Sequence, residues 1–366
     1  MTTSEPVLNP ATLRANSSNQ STPLWVEGMT EEMTARQKAF FAARVKHPAM
    51  NQLVEELMPL LLTPSETNII IVTGATGVGK STVTRVLLKQ LMRDFSGEME
   101  KDQSTLPFVA VEAYANGEQR HSFKGLYEDL CVQLQEPGME SKSPLIEVDG
   151  RMLMNPQSRY TVAGLRKIVE SGLLHRKTRV CVIDEAAHLL RFGQNAAVMD
   201  TLKSLANTTN TKWVLVGSFD LFDLVASHGQ IARRTTILNL ERYRADSAKD
   251  RDAFKRLVTL LQAKWPCSQI PNFAAISNEL LDASLGCVGL LKNLLLEAAA
   301  LQIQNKGEWE PRFLQRAAKA SKLHKAIEVE IEAGEAKVRN ALYGQSKWDD
   351  TALVKLAARM GKCINA

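Results

Sequence analysis

The chain has no apolar run long enough to span a membrane as a helix. Such a span needs roughly 18 or more consecutive apolar residues. The nearest stretches, Leu53–Leu62 and Leu290–Leu301, are broken by Glu55 and Glu56 and by Lys292 and Glu297. Both read as amphipathic or buried helices. The N-terminus lacks the basic-then-apolar pattern of a secretory signal, so a cytoplasmic protein is expected. Metal-type cysteine spacing is absent as well. Cys131, Cys181, Cys267, Cys287 and Cys363 are scattered, and none forms a C-x-x-C pair. A zinc site is therefore excluded as an expectation, and an odd count without secretion points to reduced thiols. Cys181 lies inside an apolar strand and reads as core. No Ser-His-Asp or Cys-His arrangement suggests a covalent hydrolase, and no internal repeat is found.

What is present is an ordinary globular composition. The 366 residues are 45% hydrophobic and 23% charged, which excludes global disorder. That length supports one large domain and a smaller one. The first 22 residues, rich in Ser, Thr, Asn and Pro, read as a mobile arm. The formal net charge is +5 and is unevenly placed. From Pro311 onward there are eleven Lys or Arg against six Asp or Glu, so the rest of the chain is balanced. The basic tail is either a solvated helix face or a surface for an anionic partner.

Five short β-branched or apolar runs read as buried strands: Asn68–Thr73, Pro107–Glu112, Arg179–Asp184, Lys212–Gly217 and Thr235–Leu240. Helical patterns separate them, notably 83–95, 122–134, 161–174 and 196–207, and a further helical stretch at 29–62 precedes them. This alternation predicts an α/β fold, a parallel sheet with helices on both faces. Residues 138–158 are rich in Pro, Gly and Ser and read as a long exposed loop. Past Leu240 only helical patterns remain, at 250–264, 274–285, 288–305, 310–320, 325–342 and 349–360. The expected division is an N-terminal arm and helix over 1–48, a nucleotide-binding domain over 49–240, a small helical lid over 241–310, and a basic helical tail over 311–366.

Two motifs carry the chemistry. Gly74-Ala75-Thr76-Gly77-Val78-Gly79-Lys80-Ser81 fits G-x-x-x-x-G-K-[ST] at every fixed position. The glycines let backbone amides curl toward phosphate oxygens, and the following helix, through Thr82, presents its positive end to the same anion. Lys80 should reach the β- and γ-phosphates and Ser81 should ligate Mg²⁺. Val180-Cys181-Val182-Ile183-Asp184-Glu185 is the second motif. Its strand delivers Asp184 to the carboxyl edge of the sheet, where ligands bind in such folds. Asp184 is expected to hold the metal and Glu185 to polarise the attacking water. Alone an Asp-Glu pair is a weak signal; about a hundred residues after a phosphate loop it is a strong one. ATP and Mg²⁺ are the implied cofactors.

Weaker candidates surround this pair. Ser218, after the Lys212–Gly217 strand, could sense the γ-phosphate or orient water. Arg233 and Arg234, just before the last strand, suit an arginine finger for a neighbouring subunit. Lys292 opens a lid helix and could be a second sensor, although many such proteins carry Arg there. His47 and Pro48 could border the adenine. His188 reads as a structural neighbour of Glu185.

Taken together these residues resemble the TniB/TnsC group of AAA+ transposition regulators, relatives of MuB and IstB. The likeness rests on Arg44-Val-Lys-His-Pro48, on GATGVGKS with VIDEAAH, and on VLVGSFDLF followed by IARRTTILNLERY. It covers roughly residues 40–305. Thr235 stands where the family usually has Phe, which leaves the choice between Arg233 and Arg234 open. The Walker motifs mark ATPases in general; only the flanking pieces point to transposition. The resemblance implies a bacterial P-loop NTPase that uses ATP to assemble with itself on double-stranded DNA. It implies a ring or helical filament of about six or seven subunits per turn. It also implies recruitment of transposase and contact with a TniQ-type target-selection adaptor, with hydrolysis disassembling the polymer. DNA contacts are expected at Arg120 and Lys124, and at Arg151 and Arg159 in the following loop. The alternatives are a helicase loader or replication initiator of the same fold, and a signalling P-loop NTPase that binds protein and not DNA. A metabolite kinase fits less well, because no Arg-rich substrate lid is evident.

Overall fold

The computed structural model describes residues 31–43, 48–113, 123–136, 145–148, 151–154, 161–192, 195–225, 235–319 and 324–342. The expected N-terminal arm, the 349–360 helix, His47, Arg120, Arg159, Arg233 and Arg234 lie outside them.

A five-stranded parallel sheet forms the centre. Its strands are β1 (Ile69–Gly74), β2 (Phe108–Glu112), β5 (Val180–Asp184), β6 (Lys212–Gly217) and β7 (Thr235–Leu240), in the order β2-β5-β6-β1-β7. β1 pairs with β6 on one side (Ile69↔Trp213) and with β7 on the other (Ile69↔Thr235). Every residue of β1 is buried. A strand covered on both faces has no solvent side, which is why its sequence is a continuous apolar run and not an alternation. The strands match the expected runs to within a residue.

Helices cover both faces. α4 (Phe123–Gln133), α5 (Val162–His175) and α6 (Asn195–Thr209) bury Leu130, Val169 and Leu202 against Cys181, Ile183 and Trp213. On the opposite face α2 (Pro48–Leu62) and α3 (Lys80–Lys101) bury Leu57, Leu87 and Leu91 against Ile70, Val182 and Val214. α3 runs longer than its apolar pattern suggested. The added turns past Phe95 are mostly exposed, and Glu98, Glu100 and Lys101 there favour helix without needing a core. A 3₁₀ turn, Ala186–Phe192, follows β5, and a short helix, α7 (Phe222–Val225), follows β6.

The stretch expected to be a single exposed loop is not one. Residues 145–148 (β3, Leu145–Val148) and 151–154 (β4, Arg151–Met154) pair as an antiparallel hairpin, with Val148 opposite Arg151. The sequence Leu-Ile-Glu-Val-Asp-Gly-Arg-Met-Leu-Met does carry the signal, Asp-Gly between two short apolar runs. The Pro and Ser on either side masked it. Arg151 therefore begins a strand.

After β7 the chain is helical: α8 (Ala248–Gln262), α9 (Ser277–Ala283), α10 (Val288–Gln304) and α11 (Pro311–Lys319). Their core joins Phe254, Trp265, Phe273, Leu291, Leu295 and Ala317. Trp265 stacks edge-on with Phe273 at 4.7 Å, and its indole N–H donates to Gln302 at 2.8 Å. Phe40, on α1 (Glu31–Ala42), inserts into the same cluster, 5.4 Å from the Trp265 ring. α1 thus packs on the lid, and α11 closes it. The last described helix, α12 (His324–Leu342), does not join the lid. It lies on the sheet domain, burying Ile331 and Val338 among Val72, Val78 and Phe219.

Candidate nucleotide site

β1 runs directly into the phosphate loop. Gly77 (φ 77°) and Gly79 (φ 116°) adopt left-handed backbone that side chains disfavour. Gly79 caps α3 with no side-chain hydrogen bond. The first amides of a helix have no carbonyl one turn back to bond, which makes a helix start a site for anions. Thr82 and Val83 amides bond back to the Gly79 carbonyl at 2.9 and 3.1 Å. Lys80 Nζ donates to the carbonyls of Gly74 (2.8 Å) and Ala75 (2.9 Å). Its ammonium is held inside the loop, and burial pulls its pKa down, against the upward pull of Glu185 and Asp184. A cation short of solvent at a helix start, held by two backbone carbonyls, suits a polyanion.

Asp184 ends β5 in register with Glu112 of β2. It is half-buried, and desolvation pushes its carboxyl up to about 6, against hydrogen bonds from the Glu185 amide (2.9 Å) and the Thr84 hydroxyl. A carboxylate costly to keep charged, near a second acid, gains from a cation. With the Ser81 hydroxyl at the start of α3, the donor set is hard oxygen, which suits Mg²⁺. The residues therefore fit the metal. Glu185 follows in left-handed backbone (φ 51°) and is exposed, while Asp184 stays half-buried. For a non-glycine residue that conformation costs of order 1 kcal/mol. It takes the chain off the line of β5 at the carboxyl edge of the sheet. The amide of His188 caps this turn by donating to the Glu185 carbonyl at 3.0 Å.

A cavity of about 290 Å³ opens beside the loop. Val78, Gly79 and Thr82 line it from the loop, Met50 from α2, Phe41 and Ala43 from the end of α1, and Lys292 from the lid. Its apolar walls and few polar atoms suit a planar base. Pro48, expected beside the base, opens α2 and is not among the residues that line the cavity. Met50, Leu261 and Val288 were not anticipated, because nothing in their local sequence separates a base contact from core.

Two expected groups are otherwise engaged. Lys292 Nζ donates to the carbonyls of Phe41 (2.5 Å) and Ala43 (2.8 Å), neutralising the C-terminal end of α1. Its charge clasps α1 to the lid beside the cavity. The Ser218 hydroxyl donates to Asp220 Oδ2 at 3.0 Å. Lys124 lies in the first turn of α4. The lid itself touches the loop: the Gly289 amide donates to the Gly77 carbonyl at 2.6 Å. A Cβ on Gly289 would stand 2.7 Å from that oxygen, so only glycine allows this approach.

Residues 63–225 match the family model described as an AAA domain. Lid and sheet together resemble known structures. The fold is that of a AAA+ P-loop NTPase. The ORC1 protein of Aeropyrum pernix, solved in complex with DNA, superposes with a TM-score of 0.52 at 14% identity. That match covers 89% of this chain and 86% of the other. The A. pernix ORC2 protein, solved as ADPNP–ADP complexes, gives 0.51 at 12% identity, covering 88% of this chain and 90% of the other. No curated protein sequence matches this chain. The AAA+ sheet and helical lid are as the sequence implied. At such identities the likeness speaks to fold alone.

Proposed function

We propose that this chain is an ATPase that assembles on duplex DNA and regulates DNA transposition by recruiting transposase. The observation that carries the ATPase part is the meeting of Lys80 and the Asp184–Glu185 pair at one sheet edge, with a base-sized cavity beside them. On this reading Lys80 leaves the Gly74 and Ala75 carbonyls for the β- and γ-phosphates. The loop amides and the start of α3 hold the remaining phosphate oxygens. Ser81 and Asp184 would hold Mg²⁺, which would supply charge neutralisation for the phosphates. Glu185 accepts a hydrogen bond from the attacking water and orients it. Ser218 exchanges its Asp220 partner for that water or for the γ-phosphate. Arg233 or Arg234 of a neighbouring subunit completes the site, so hydrolysis depends on assembly.

The DNA and transposition parts rest on the resemblance of residues 40–305 to TniB/TnsC-type regulators, and on the AAA+ fold shared with an ORC1 protein solved on DNA. Phosphate contacts should dominate, since a target regulator must accept many sequences. Arg120, Lys124, Arg151 and Arg159 are the proposed contacts. Transposase and a TniQ-type adaptor are the proposed partners. A replication initiator or helicase loader is the second reading, favoured by a fold match that extends over the helical region as well as the sheet.

The test is fluorescence anisotropy of unrelated DNA duplexes with ATP–Mg²⁺, with ADP and without nucleotide. ATP-dependent binding of similar strength to every duplex supports the reading. Arg120→Ala with Lys124→Ala should weaken it equally for all sequences. The logarithmic salt slope should become shallower by about one for each phosphate that is no longer neutralised. Absence of DNA binding under every nucleotide condition would favour the protein-binding signalling alternative. Capture of transposase by the DNA-bound chain separates a transposition regulator from an initiator.

A further inference from the structure

α12 carries an apolar stripe at Ile327, Ile331, Gly334 and Val338, spaced four, three and four residues apart, which places them on one helix face. That face is seated across the carboxyl edge of the sheet. Ile331 and Val338 are 1% and 5% exposed. Gly334 meets the Phe219 ring so closely that any Cβ would overlap it. Polar contacts flank the stripe and reach the ends of three strands. Glu330 accepts from the Thr76 hydroxyl of the phosphate loop at 3.0 Å. Glu335 takes the Arg242 guanidinium through both oxygens, at 2.6 and 3.3 Å, just past β7. Lys337 bonds Asp223 of α7, the short helix that follows β6, at 3.2 Å.

The chemistry at the phosphate loop decides the direction of the effect. The loop is built to receive anions, and in this arrangement a carboxylate is already present. Glu330 accepts from the loop's own Thr76, next to Ala75, whose carbonyl holds the Lys80 ammonium. The stretch that contributes it is locally acidic, with Glu328, Glu330, Glu332 and Glu335, although the tail as a whole is basic. Incoming phosphates and Glu330 are like charges drawn to one electropositive loop.

We propose that α12 is an intramolecular inhibitor of nucleotide loading, holding the phosphate loop through Glu330 until ATP or a partner displaces the helix. The proposal rests on the phosphate loop being the nucleotide site. By linkage, whatever unseats α12 tightens nucleotide binding, and nucleotide in turn loosens α12. A protein that grips the exposed outer face of α12, where Val329 is 57% exposed, would act as a loading factor.

The experiment measures binding of a fluorescent ATP analogue to the full chain and to Glu330→Gln, Gly334→Ala and Lys80→Ala. Glu330→Gln keeps the shape and removes the charge. Gly334→Ala raises helix propensity yet cannot seat on Phe219, so it unseats α12 without melting it. Both are expected to bind the analogue tighter, Glu330→Gln on the order of twofold to fivefold, the range for one exposed charge. ATP should also accelerate amide hydrogen exchange across 327–338 in the wild type. Unchanged or weaker binding by both variants, or exchange in α12 that ATP slows, would overturn the proposal. Loss of binding in Lys80→Ala alone checks the site itself. If Lys80→Ala binds like the wild type, or if no form binds, the nucleotide-site reading falls and the inhibitor proposal falls with it.

Discussion

At the residue scale the site is a set of charges held where water is scarce. Asp184 is the clearest case, its carboxyl pushed up to about 6 by burial. A native pKa above the unfolded value means the folded state binds the extra proton. The stability that comes with that proton is full below about 4 and lost as pH rises through about 6. Without metal, Asp184→Asn should therefore raise the melting temperature at pH 7. The gain should be on the order of 1–2 kcal/mol once partial solvation is allowed for. Below about pH 4 it should vanish. Mg²⁺ affinity should fall as pH drops through about 6 in the wild type, because protonation competes with the ion. Calorimetry across pH checks the first, and Mg²⁺ titration with bound nucleotide checks the second. Lys80 could be singled out in the sequence because a phosphate loop has fixed internal spacing, and Asp184 because an apolar strand ends on it. The roles of Met50 and Phe41 at the cavity were not, since an apolar side chain looks the same in sequence whether it meets a base or a core.

At the scale of elements, the parallel strands were legible for a physical reason. The central strands β1, β5 and β6 are buried along nearly their whole length, so each appears as a short continuous apolar run bounded by turn residues. The hairpin of β3 and β4 was missed because flanking Pro, Gly and Ser outweighed the Asp149-Gly150 signal. The seat of α12 was missed for another reason. Its stripe at 327, 331, 334 and 338 includes a glycine, which hydrophobicity does not count but which touches Phe219. Close glycine contacts also join the lid to the loop. Gly289→Ala should push α10 off Gly77, where its added Cβ would stand 2.7 Å from the Gly77 oxygen. Overpacking of this kind costs about 1–3 kcal/mol. The expected outcome is a lower melting temperature with weaker nucleotide binding. Unchanged nucleotide affinity in a folded Gly289→Ala protein would show that the lid does not shape the site through this approach.

For the whole molecule, the central question is whether the site is complete within one chain. Arg233→Ala or Arg234→Ala should lower hydrolysis while leaving ATP binding by the single chain intact. Mixing the impaired Arg variant with Lys80→Ala should restore some turnover, because each supplies the half-site the other lacks. Failure of rescue in mixed assemblies would argue for a site complete in one subunit. The basic tail contributes differently along its length. α11 packs in the lid and α12 on the sheet domain, so neither is a free arm.

Electron microscopy of the Glu185→Gln chain on a random-sequence duplex tests the account most directly. This variant should load ATP and hydrolyse it slowly, so its assemblies should persist. The account predicts rings or filaments on DNA with ATP–Mg²⁺, and none with ADP or when Lys80→Ala is added to the same chain. Identical DNA-bound particles with and without nucleotide, and in the Lys80→Ala background, would contradict it.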